Sequence, residues 1–135
     1  MKNVILYAPI IVSGRRWFGE EIFKKFAGKI SSVACGDDIY TDAESLKKDK
    51  NTIVVCVNYD WSPEEIKNKV AEMRGANAPA MSYGSTFYEK QFNENKKMKE
   101  KAKELGIKYF DITNCDSAQM EKVLSDVFEY IIKNL

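Results

Sequence analysis

The sequence predicts an α/β protein, specifically a three-layer α/β/α sandwich with a mostly parallel five-stranded sheet, formed by residues 1–135 as a single domain. Three observations point there. Short β-branched apolar runs alternate with longer segments of helical period. The run at residues 52–57, TIVVCV, is continuous and rich in β-branched residues, as expected of a central parallel strand buried on both faces. The resulting order, βαβ(α)βαβαβα, is that of strands joined by helical crossovers.

The elements follow in order. Residues 3–8 (NVILYA) read as a buried strand. A helix opens at Ser13 or Gly14, carries Trp17, Phe18, Ile22 and Phe26 on one face, and closes at Gly28. A short strand is expected near residues 29–34, then a polar segment, 36–50, with a short helix or turn. After the strand at 52–57, Ser62-Pro63-Glu64-Glu65 is a strong helix start: a cap, a proline at the first position and a capping-box glutamate. Ile66, Val70 and Met73 form its apolar stripe. Residues 78–83 (APAMSY) read as a fourth strand. Thr86 and Glu89 form a second capping-box pattern, opening a lysine-rich helix with Phe92, Met98, Ala102 and Leu105 inward and Gly106 as its stop. Residues 107–112 (IKYFDI) are the fifth strand, and Ser117 caps a last helix with Met120, Val123, Leu124, Val127, Phe128 and Ile131 at helical spacing.

Composition excludes several classes. The chain is 44% apolar and 30% charged, ordinary for a globular protein. With 21 Lys+Arg against 20 Asp+Glu, it has no global field to draw nucleic acid or an anionic membrane. No apolar run reaches the ~20 residues that span a bilayer. The opening MKNVILYAPIIV lacks a small-residue cleavage site and leads into a helix, so it reads as a strand rather than a signal peptide, and a cytoplasmic location is expected. There is no histidine, and Cys35, Cys56 and Cys115 are widely spaced, which removes His-based triads and argues against zinc. Any acid–base chemistry falls to Asp, Glu, Lys, Tyr or Cys.

In an open parallel sheet, ligands bind beyond the carboxyl ends of the strands. The first strand leads through Ser13, Gly14, Arg15 and Arg16 into a helix. Free N–H groups at a helix start, together with two guanidiniums, suit a phosphate or carboxylate. As ordinary surface residues, the same arginines would be mildly unfavourable at the positive end of the helix dipole. Ser85 and Thr86 offer hydroxyls at another strand-to-helix junction, or simply a cap. Asp37 and Asp38 could hold Mg²⁺ or a sugar hydroxyl, or serve as turn residues. Asp60 follows the central strand where a general base often sits, or it starts the next helix. Asp111 and Asn114 close the last strand, and Tyr59, Trp61 and Tyr83 could stack on a flat ligand or edge the core.

The stretch 13–26, SGRRWFGEEIFKKF, is similar in register to the end of a Walker A loop and its helix. KAKELGIKYFDIT and QMEKVLSDVFEYI resemble the closing elements of small P-loop nucleotide kinases. The resemblance implies a nucleotide or phosphate ligand. Where the loop calls for Gly-x4-Gly-Lys-Ser/Thr, this chain has Pro9-x4-Gly14-Arg15-Arg16. Arg15 can neutralise a phosphate, but Arg16 cannot ligate Mg²⁺, so no intact motif supports that cofactor. Gly84-Ser85-Thr86 resembles the hydroxyl-rich phosphate loop of flavodoxins, displaced here to follow the fourth strand.

The expected function is binding of an anionic small molecule, nucleotide-like or phosphorylated, at Ser13, Gly14, Arg15 and Arg16 with Ser85 and Thr86. An enzymatic version is a hydrolase or transferase using Asp37, Asp38 and Asp60. The alternative is a non-catalytic adaptor, or a homo-oligomeric pseudoenzyme on a kinase-like or flavodoxin-like shell.

Overall fold

The computed structural model describes residues 1–9, 15–74 and 85–135. Four strands, β1 (Lys2–Tyr7), β2 (Ile30–Gly36), β3 (Thr52–Asn58) and β4 (Lys108–Asp111), form a parallel sheet in the order β2-β1-β3-β4. Five helices accompany them: α1 (Arg15–Lys25), α2 (Ile39–Lys48), α3 (Pro63–Arg74), α4 (Ser85–Leu105) and α5 (Ser117–Asn134). The fold is therefore α/β with a parallel sheet, but among the described residues the sheet has four strands, not five. The strand expected at 78–83 lies outside the described residues. β1 pairs with β2 and β3, and β3 pairs directly with β4 through Val55↔Lys108 to Asn58↔Asp111, so no interior seam is open to another strand.

The strands define two apolar clusters through their alternation. Val4, Leu6, Ile53, Val55, Val57 and Phe110 point one way and pack with Phe18 and Ile22 of α1, Ile66 and Val70 of α3, and Leu124, Val127 and Ile131 of α5. Tyr7, Val54 and Cys56 point the other way, against Ile39 and Ala43 of α2 and Met98 and Ala102 of α4. β3 is buried at every position from Ile53 onward, as its unbroken apolar run requires.

Several ends depart from the sequence expectation. The polar segment after β2 holds a full helix, α2, because Asp38 caps it by accepting the Tyr40 N–H at 3.1 Å. α5 is capped by Asp116, not Ser117: Asp116 and Gln119 bond each other's backbone N–H, both at 2.8 Å. The Ser62–Glu65 box forms as expected, with both bonds at 3.2 Å. Thr86 lies within the first turn of α4 and not ahead of it. The inward stripe of α4 is Gln91, Asn95, Met98 and Ala102, while Phe92 and Leu105 are half-buried. Met73 belongs to α3, but its side chain lies outside the described set. Gly28 and Gly106 end α1 and α4 with φ of 81° and 68°, a conformation that disfavours any Cβ.

No described helix is long and apolar enough to cross a membrane.

Candidate functional site

The carboxyl ends of the four parallel strands lie at one end of the sheet, and the polar residues there and along α1 fall into three groups. The first surrounds the end of β3. Asn58 is fully buried; its Nδ2 donates to the Asn95 carbonyl at 2.9 Å, and its Oδ1 accepts the Tyr59 N–H at 2.8 Å. Gln91 Nε2 donates to Asn95 Oδ1 at 2.8 Å, so the Gln91 and Asn95 carboxamides pair directly and Asn58 joins them through the Asn95 main chain, in an interior that exposes none of the three beyond 5%. Asn95 Nδ2 and the Tyr109 hydroxyl are buried without a hydrogen-bond partner among the described residues. Burial pushes the Tyr59 phenol up to about 12.

The network continues outward. Thr113 accepts the Asp60 N–H on its hydroxyl at 2.8 Å and the Trp61 indole N–H on its carbonyl at 2.7 Å. Trp61 stacks on Tyr59 with ring centroids 3.9 Å apart. The Asp60 carboxylate is paired with Lys99, and that bond raises the lysine above its usual range. Asp111 accepts the Thr113 N–H at 2.9 Å. Asp60, a candidate base, is thus fixed through its backbone and neutralised through its side chain.

The second group lies at the end of β2. A cavity of 300 Å³ is lined by Asp37, Asp38, Tyr40, Glu94, Lys97 and Met98. Asp38 accepts from the Thr41 hydroxyl as well as the Tyr40 N–H, and these bonds, led by Thr41, hold its carboxyl below the usual range. Asp37 is exposed. Nearby, the Tyr7 hydroxyl donates to Asp42; burial and that carboxylate raise the phenol above its ordinary range.

The third group lines a groove of 560 Å³ between α1 and β2, formed by Arg15, Arg16, Gly19, Glu20, Phe23, Lys24, Val33 and Cys35. Helix and strand approach closely here: a Cβ on Gly19 would stand 2.8 Å from Cys35 Sγ. Arg16 Nε bonds Glu20 at 2.9 Å, whereas Arg15 has no ion pair among the described residues. Burial raises the Cys35 thiol, against the opposing pull of Arg15.

Among the described residues, the expected site residues fall in different places. Arg15 and Arg16 share the groove; Asp37 and Asp38 share the cavity; Asp60 stands at the end of β3. Ser85 and Thr86 begin α4, with the side chain of Ser85 outside the described set, as Ser13 and Gly14 are entirely. Among the described residues no group of three or more His, Cys, Asp or Glu is placed to hold a metal ion.

Asn58, Gln91, Asn95 and Lys99 were not anticipated. A signal existed: Gln91, Asn95, Met98 and Ala102 keep one helical stripe, with two amides where the pattern demands apolar residues.

Compared with protein-family models, with curated proteins and with solved structures, the chain shows no significant match. The fold and surface define a parallel α/β protein with a basic, partly apolar groove.

Proposed function

We propose that this chain is a cytoplasmic binding protein of three-layer α/β/α architecture that holds an anionic small molecule, nucleotide-like or phosphorylated, in the groove between α1 and β2. One observation carries this reading. The groove joins two guanidiniums in the first turn of α1 to an apolar wall made by Phe23 and Val33. The free N–H groups of a helix start and its dipole favour an anion beside those guanidiniums. The wall suits the flat or apolar remainder of the molecule. The volume falls inside the range of about 300–1,000 Å³ common to small-molecule sites. Arg15, without an ion pair among the described residues, is the natural first contact for the anion.

The geometry favours binding over turnover. Asp37, Asp38 and Asp60 stand elsewhere, and the groove's own carboxylate, Glu20, is engaged with Arg16.

Thermal unfolding measured with ATP, AMP, FMN and inorganic phosphate tests the proposal. A ligand at about 100 times its dissociation constant adds about 2.7 kcal/mol to the folded state. Arg15→Ala with Arg16→Ala should abolish the shift, and Asp60→Asn should leave it intact. If none of the four ligands shifts the transition, or if the shift survives the double arginine change, the assignment fails.

A further inference from the structure

β2 is the outer strand on one side of the sheet, and no described strand lies beside its far edge. Exposed edges are ordinarily blunted by proline, by charged side chains or by a covering element, because their free N–H and C=O groups template pairing. β2 reads Ile-Ser-Ser-Val-Ala-Cys-Gly, with no proline and no charge within it. Its charges stand just outside, Lys29 before it and Asp37 after it. Both are exposed, and neither makes an ion pair among the described residues. Each is four residues from Val33.

We propose that β2 pairs antiparallel with β2 of a second copy of this chain, about a two-fold axis through Val33. Two four-stranded sheets then become one continuous sheet. In that register Val33 faces Val33, Ser32 faces Ala34, Ser31 faces Cys35, and the two uncommitted charges meet as Lys29 with Asp37 at both ends. An isologous contact of this kind requires self-complementarity, which the strand and its flanks possess. Slipping the register by one would set Lys29 against Asp38, whose carboxylate already holds the start of α2. The one irregularity, a register step that leaves Ser31 without a β1 partner, spares the central run from Ser32 to Gly36.

The side chains agree. Val33 and Cys35 pair with Val4 and Leu6 of β1 and so share the α1 face of the sheet. A two-fold axis normal to the sheet keeps α1 of both copies on that same face. Val33 of each copy would then meet its counterpart at the axis, on the face of the sheet that carries α1.

The test uses the full chain. Light scattering coupled to size exclusion should report a dimer that dissociates on dilution. Lys29→Asp alone, or Asp37→Lys alone, should weaken it at least tenfold, and the double swap should restore it. In a Cys35→Ser background, Val33→Cys should cross-link into a covalent dimer under mild oxidation, since residues opposed across an antiparallel pair lie within disulfide reach. Ser32→Cys, which faces Ala34, should not. A monomer at every soluble concentration overturns the proposal. So does a dimer indifferent to the charge swap, or one cross-linked by Ser32→Cys and not by Val33→Cys. Arg15→Ala with Arg16→Ala separates this from ligand binding, because it leaves the strand edge and both flanking charges in place.

Discussion

The end of β3 and the flank of β2 lie on the same sheet and handle polarity in opposite ways. At β3, Asn58, Gln91 and Asn95 are linked by hydrogen bonds in the interior, with Asn95 Nδ2 left without a partner among the described residues, and Asp60 and Trp61 are tied to Thr113. At β2, Lys29, Asp37 and Arg15 are exposed or half-buried and uncommitted among the described residues. A buried polar group must find a partner inside the fold or forfeit its hydration, so its position reports on structure. An exposed charge loses nothing by staying unpaired, so its position is free of the constraint that fixes the buried groups. Acids at strand ends are therefore weak guides to catalysis in this protein, and the flank of β2 is the stronger place to look for partners.

The largest expected effect tests whether the β3 network is structural. Asn58→Ala removes a donor to the Asn95 main-chain carbonyl and the side-chain acceptor of the buried Tyr59 N–H. At 1–3 kcal/mol for each buried group left unsatisfied, the loss should be about 3 kcal/mol. Denaturant unfolding reads it directly. A loss below about 1 kcal/mol would mean that water or the surrounding chain readily replaces these bonds, and the contrast between the two regions would weaken.

A smaller effect probes the packing of the groove. Gly19 is buried in the interior of α1, where alanine would ordinarily gain about 1 kcal/mol in helix propensity. Its Cβ would press on Cys35 Sγ at 2.8 Å, so Gly19→Ala should gain little in the native background. With Cys35→Ala present, the same change should recover about 0.5–1 kcal/mol, read as a coupling in a double-mutant cycle. Additivity would show that the thiol simply swings away and that the groove wall yields at this point.

What the sequence disclosed follows the same division. The β-branched run from Thr52 to Val57 reads as a central strand from its composition, and the Ser62–Glu65 box is a local pattern that needs no tertiary knowledge. Asp116 was harder to read as the cap of α5 because Ser117 beside it has equal capping chemistry; the choice rests on which residue places Gln119 at the reciprocal position. The inward amides of α4 were missed because Phe92 and Leu105 look apolar, while burial follows the stripe through Gln91 and Asn95. Convergence of site residues was beyond reach for a further reason. Arg15 and Asp60 both follow strands, yet Arg15 lines the groove between α1 and β2 while Asp60 pairs with Lys99 of α4, and neither placement is a local property.

The smallest effect concerns Asp60, where the locked network meets solvent. The carboxylate and Lys99 are each about half exposed, and pairs of that kind contribute about 0.2–1 kcal/mol. The backbone N–H of Asp60, held by Thr113, survives a change of side chain. Asp60→Asn should therefore cost only a few tenths of a kcal/mol, and less at high salt, where the pair is screened. It should also return the Lys99 ammonium toward its usual range, which nitrogen-detected titration can follow. A cost above about 1 kcal/mol that ignores salt would make Asp60 part of the locked interior and extend the network to the surface. A salt-sensitive cost of a few tenths would place the boundary between structure and available charge at this pair, leaving Asp60 and Lys99 free to separate should a molecule arrive between them.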